Sequence, residues 1–266
     1  MEDQKDSLPN GSSPVTVVTR QQLIGPMELL SRAIDIYREK FIKIVYLNLF
    51  ALASFLPLGL VFGLYFLVSS DVLGIAPGTK SILQIVLGLA GLVALVIAVF
   101  FNIAAQASFY LAPESAREEK ATELFRRGRA FVARYFWVSF LVGVFTLLWT
   151  LLFIVPGIIM SVYYSLAVLC LVYEGHRATG AIKRSKEISK GYWWALAGRY
   201  LFLSLILFLF YLILSIPTWF LEEGSAVMSG WDVVTQIIGF FIAPVQSIYV
   251  YLIFRGLQSI KGEKKV

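Results

Sequence analysis

Long charge-free apolar stretches alternate with short basic segments along this chain. Stretches without Asp, Glu, Lys or Arg run over 44–70, 81–113, 135–173, 200–221 and 233–254. An uncharged apolar run of about 18 residues or more crosses a bilayer as a helix. The third stretch is nearly twice the length one crossing needs, and Pro156-Gly157 sits near its middle. Proline lacks an amide donor and glycine relaxes the backbone, so a tight turn is expected there. The pattern thus predicts six spans, at 42–68, 81–110, 135–155, 158–174, 193–217 and 233–254. Gly59 and Gly63 form a small-xxx-small face suited to close helix approach, and Pro57, Pro217 and Pro244 are expected to kink or end helices.

Three of the segments between spans read as amphipathic helices. In the first, Leu30, Ile34, Tyr37 and Phe41 alternate with Arg32, Asp35 and Glu39 at helical spacing. Aligned with it are the segments that begin near Glu123 and near Ala181. Arg32, Arg127 and Arg184 then share a register, as do Phe41, Phe136 and Trp193. The returning spans also resemble one another: Gln106, Ser108 and Tyr110 in span two echo Gln246, Ser247 and Tyr249 in span six. The expected architecture is all-α and polytopic, with a threefold internal repeat. Each copy comprises a cytoplasmic interfacial helix, an outgoing span and a returning span.

Composition narrows the class. Hydrophobic residues make up 58% and charged residues 15% of 266, against about 45–50% and 25% in a soluble domain. That excludes a soluble enzyme, a disordered chain and a disulfide scaffold. One cysteine, Cys170, and one histidine, His176, cannot build a disulfide or a zinc site of the usual ligands. No cofactor is expected.

The net charge of +6 is concentrated at span boundaries. Lysine and arginine cluster before span one, after spans two and four, and after span six, while the opposite loops hold Lys80 with Asp71, Glu222, Glu223 and Asp232. This asymmetry predicts both termini in the cytoplasm. The charge is explained by the membrane, not by nucleic acid. Residues 1–25 are polar, lack an apolar h-region and read as a disordered tail rather than a signal peptide; 26–260 form one membrane domain, and 261–266 a basic tail.

Candidate chemistry is sparse. No span carries Asp, Glu or His at depth, there is no GxSxG elbow, and the stretch 74–81 has the wrong spacing for a phosphate loop. Catalysis is therefore not expected. Asn48, Asn102, Gln106 and Gln246 form a candidate polar bundle interior, whose simplest role is interhelical hydrogen bonding. Lys183, Arg184, Lys186 and Lys190 precede Tyr192, Trp193 and Trp194, and form candidate contacts to anionic lipid headgroups. Arg199 belongs with them, either snorkelling to the headgroups or turned into the bundle.

Pro156-Gly157-Ile158, Ala181 to Ser185 and Gly191 to Trp194 together resemble the membrane domain of bacterial glycerophosphoryl diester phosphodiesterases. Related uncharacterised six-helix bacterial membrane proteins share the pattern. The opening Glu28 to Ala33 and the Lys40-Phe41 entry into span one are also similar. The resemblance spans roughly 23–258 and is most specific over 156–194. In that family the hydrolytic chemistry lies in a separate soluble domain, and this chain stops six residues after Ile260. The resemblance implies a module of a bacterial inner membrane without hydrolase activity. Two functions stay open: a non-catalytic module associating with anionic lipid or a membrane or cytoplasmic protein partner, and a small-molecule or lipid transporter component.

Overall fold

A computed structural model describes residues 23–116, 118–222 and 224–262. The predicted tail up to residue 22, the basic residues from 263, Arg117 and Glu223 lie outside the described residues. The fold is α-helical, with no strand among the described residues. Six helical stretches are long and apolar enough to cross a membrane: Phe41–Ser69, Pro77–Glu114, Val132–Leu152, Ile154–Glu174, Trp193–Trp219 and Ala226–Ile260. They fall where the apolar pattern puts them. The second and sixth run further because their helices continue past the apolar window into polar flanks.

In chain order the helices are α1 (Pro26–Glu39), α2 (Phe41–Ala53), α3 (Leu56–Ser69), α4 (Pro77–Leu111), α5 (Ala121–Arg129) and α6 (Val132–Leu152). They continue as α7 (Ile154–Tyr164), α8 (Ala167–Glu174), α9 (Thr179–Ser189), α10 (Trp193–Ser215) and α11 (Ala226–Ile260). Two spans are thus broken helices, α2–α3 and α7–α8. Pro57 occupies the second position of α3, Pro217 lies in the 3-10 turn that ends the fifth span, and Pro244 sits inside α11.

The turn between α6 and α7 corrects the expected position. Phe153, not Pro156-Gly157, leaves the helical region, with φ −159° and ψ 139°. Pro156 lies in the first turn of α7, where amides have no intrahelical partner and a missing donor costs little. Gly157 instead lets the two helices meet. A Cβ built there would lie 2.2 Å from Thr150 Oγ1 and 2.8 Å from Thr150 Cα. The glycine pair Gly59 and Gly63, by contrast, faces open space, so the expected close approach does not occur there. The α3–α4 contact runs instead through Val61 against Gly91.

Burial is uneven along the spans. Leu29, Ile44, Leu47, Leu124, Leu166, Leu171, Ile188, Tyr249 and Phe254 are enclosed at the end carrying the basic segments. Toward the other end Phe62, Leu92, Leu151, Phe208 and Ile237 face outward, as side chains solvated by lipid do. There α3 packs chiefly on α4 and α6 on α7, within the first two hairpins.

Three short helices, α1, α5 and α9, cover the packed end. α1 lies on α11, α5 on α4 and α9 on α8. Their apolar sides meet protein: Leu29, Leu124 and Ala181 are buried, as are Ala33, Gly128 and Ser185 one residue after each aligned arginine. In α1 the buried line is Leu29 and Ala33 rather than the expected Leu30 and Ile34, which are half-buried. Gly128 makes the tightest approach, since a Cβ there would stand 2.1 Å from Ser108 Oγ and 2.6 Å from the Ala104 carbonyl.

Candidate functional site at the basic end

The α7–α8 break is filled by a side chain from α9. Ser185 Oγ donates to the Tyr163 carbonyl at 2.6 Å and accepts from Leu166 N–H at 3.2 Å. One hydroxyl thus satisfies both backbone groups that the interrupted helix leaves open. Ile182 and Ile188 pack inward on either side of it. Lys183, Lys186 and Lys190 occupy the opposite, exposed face and make no ion pair among the described residues. Trp194, directly beyond them, is 82% exposed.

Arg184 does not join that face. Its Nε donates to Glu174 Oε2 at 2.9 Å, and its Nη1 lies 3.7 Å from Glu187 Oε2. The expected four-cation surface is therefore three lysines. Arg184 turns inward because Glu174, at the end of α8, offers a half-buried carboxylate.

Glu174 anchors a wider network. Gln258 Nε2 donates to Glu174 Oε1 at 2.8 Å, and Arg255 Nη1 donates to Gln258 Oε1 at 3.0 Å. Arg255 also pairs with Glu114, which accepts from the Tyr251 hydroxyl at 2.8 Å. The Arg255 guanidinium stands 5.2 Å from the Tyr173 ring centroid, a cation–π distance. The ends of the second, fourth and sixth spans are tied together in this way. Lys40 adds a link at the first span by donating to the Ser115 carbonyl at 3.1 Å, and Lys43 donates to the Ala116 carbonyl at 2.6 Å. The positions of Glu114 and Glu174 at matching span ends were the available sequence signal for the network. Their partners Arg255 and Gln258 carried none, because only the packing brings the span ends together.

Arg199 is half-buried, and its guanidinium is turned onto backbone carbonyls. Nε donates to the Ile24 carbonyl at 3.0 Å, Nη1 to Ala195 at 2.7 Å, and Nη2 to Leu23 at 2.6 Å and Ile24 at 2.5 Å. It fastens the segment entering α1 onto α10, and Tyr249 supports the same turn by donating to the Arg199 carbonyl at 3.3 Å. The outward route was the expectation for an isolated helix. The folded chain supplies the carbonyls of Leu23, Ile24 and Ala195 instead.

The polar interior divides. Asn48 is 4% exposed, and its Nδ2 donates to the Phe240 carbonyl of α11 at 3.0 Å. Phe240 lies four residues before Pro244, so its carbonyl is the one the proline leaves without a helical donor. Asn102 and Gln106 are half-buried and make no side-chain hydrogen bond among the described residues. Gln246 is exposed, contrary to expectation. α11 turns Pro244, Ile248 and Tyr251 inward, and two residues past Pro244 rotates about 200° to the far side. Ser185 and the Trp193 indole, which donates to the Ile159 carbonyl at 3.1 Å, are interhelical ties that sequence reading did not identify as such.

Six apolar spans with a packed, basic end define a multi-pass α-helical membrane protein. No protein-family model, curated protein or solved structure matches the chain.

Proposed function

We propose that this chain is a non-catalytic module of a bacterial inner membrane that associates with anionic lipid through its basic end. One observation carries the reading: Lys183 and Lys186 on α9 and Lys190 just past its end are exposed, without carboxylate partners among the described residues, beside Trp194. Near-surface lysines contribute about 1 kcal/mol each toward an anionic leaflet, less at high salt. The purified full chain in vesicles tests it. Its melting temperature, followed by tryptophan fluorescence, should be higher in phosphatidylglycerol-containing vesicles than in phosphatidylcholine. The K183Q/K186Q/K190Q variant should show a smaller difference. Equal wild-type melting in both vesicles rejects the reading.

The architecture proposed with it is a threefold repeat of interfacial helix and hairpin. The common register of Arg32, Arg127 and Arg184 supports it, together with the buried small residue that follows each. So does the packing of α1, α5 and α9 each on a returning span, with α1 taking the last of them. The segments over 156–194 support kinship with the membrane domain of glycerophosphoryl diester phosphodiesterases. Both termini are assigned to the cytoplasm. Alkaline phosphatase fused at Pro77 or Glu223 should be active, and at Lys120 or Ser185 inactive.

A second reading, a small-molecule or lipid transporter, is favoured by Asn102 and Gln106, a helical turn apart and without side-chain partners among the described residues. Leakage assays on proteoliposomes with and without N102L/Q106L separate it from the first.

A further inference from the structure

We propose that the groove between α7 and α10 is a discrete site for one anionic phospholipid, its phosphate against Arg199 and an acyl chain laid along α7. The groove is open along one side and has a volume of about 1010 Å³. Val155, Ile158 and Ile159 of α7 form its apolar wall, and Tyr163, Trp193 and Trp194 its aromatic part. Arg199 is the sole charged residue in that lining.

Two features of Arg199 specify an anion. A guanidinium carries five N–H groups, and the carbonyls of Leu23, Ile24 and Ala195 take four, which leaves one Nη1–H uncommitted. Carbonyl dipoles satisfy hydrogen bonds but do not cancel a net charge, and Arg199 has no carboxylate partner among the described residues. A cation in apolar surroundings gains from an anionic partner that reaches it through a hydrogen bond. The apolar wall makes that partner an amphiphile rather than a free anion. The exposed Trp194 ring and the half-buried Trp193 beside the cation suit the depth at which a lipid headgroup meets its chains. A phospholipid supplies phosphate and hydrocarbon at the required adjacency.

The site is separate from the lysine face of α9 and shares with the preceding proposal only the membrane setting. The test uses native mass spectrometry of the full chain released from mild detergent, after incubation with phosphatidylglycerol or phosphatidylcholine. The wild type should retain one phosphatidylglycerol per chain, preferred over phosphatidylcholine by about tenfold, the ratio expected from one charge-assisted contact. Ile158→Trp fills the wall at a side chain that is 56% exposed, where the added bulk does not disturb the core. It should abolish retention with melting temperature unchanged. Arg199→Gln should abolish the preference. Should that variant fail to fold, since Arg199 also holds Leu23 and Ile24, I158W decides. K183Q/K186Q/K190Q should keep the bound lipid, so failure of the lysine-face reading and failure of this one are distinguishable. Equal retention of both lipids overturns the site, as does displacement by inorganic phosphate or retention unchanged in I158W. Lipid binding that appears only after residues 1–20 are deleted also overturns it and assigns the groove to the chain's own N-terminal segment.

Discussion

The basic end and the opposite half of the spans are both rich in apolar residues and differ in organisation. At the basic end, helices from separate hairpins interlock through small residues and shared hydrogen bonds: Gly128 on Ser108, Ser185 in the α7–α8 break, Asn48 on Phe240. In the opposite half, packing stays chiefly within hairpins, and leucines and phenylalanines face outward. The difference teaches where specificity comes from in apolar helices. Lipid solvates an outward leucine as well as another helix does, so hydrophobicity alone does not join hairpins. Close backbone approach and polar groups with one satisfying partner do.

That contrast breaks most easily at Gly128. Gly128→Ala places a Cβ against the Ser108 hydroxyl and the Ala104 carbonyl, and overpacking of this kind costs about 1–3 kcal/mol. A lowered melting temperature in detergent should accompany loosening of α5, read as faster amide exchange over 121–129. Unchanged melting would mean that α5 is not docked on α4.

Ser185→Ala should follow, at about 1–3 kcal/mol, because it strands the Leu166 amide and the Tyr163 carbonyl. Exchange should rise at Leu166 and leave the α6–α7 turn untouched. Asn48→Leu should cost less, about 1 kcal/mol, the scale of interhelical hydrogen bonds in membranes. A double-mutant cycle sharpens it. Pro244→Ala restores an amide donor for the Phe240 carbonyl, so the Asn48→Leu penalty should largely vanish in the Pro244→Ala background. Additive losses would show that Asn48 does something other than serve that carbonyl.

The smallest effect belongs to the opposite half. Gly59→Ala and Gly63→Ala add their Cβ atoms to open space and should change melting by less than about 0.5 kcal/mol, or raise it slightly through helix propensity. A large loss would place an unseen partner against α3. The two glycine sets thus form an internal control: one substitution type, opposite expected outcomes, one chain.

Much of the candidate site was legible only in part. The aligned arginines were visible as a register, but their fates differ: Arg32 pairs with Glu28 at 2.7 Å on an exposed surface, Arg127 with Glu119 at 2.9 Å, and Arg184 reaches across to Glu174. Arg184 left the lipid-facing set because its partner lies ten residues back across the α8–α9 corner, a separation that helical periodicity does not connect. That corner turns through Gly175 at φ 73° and Ala178 at φ 46°, the latter a conformation that favours glycine.

The six spans, their approximate limits and the clustering of cations at their ends follow from sequence alone, because crossing a bilayer demands length and apolarity within one continuous segment. That the segments between spans hold short helices was also legible, since helical periodicity is local. Which face each would bury, and against what, was not. Asn48 needed the proline-freed carbonyl of another helix, Arg199 needed carbonyls about 175 residues away in sequence, and Pro156-Gly157 turned out to belong to a helix start because Gly157 had Thr150 to pack against. In a membrane every apolar face has an acceptable solvent already. Only tertiary structure, through close approach and the pairing of polar groups, decides which faces meet.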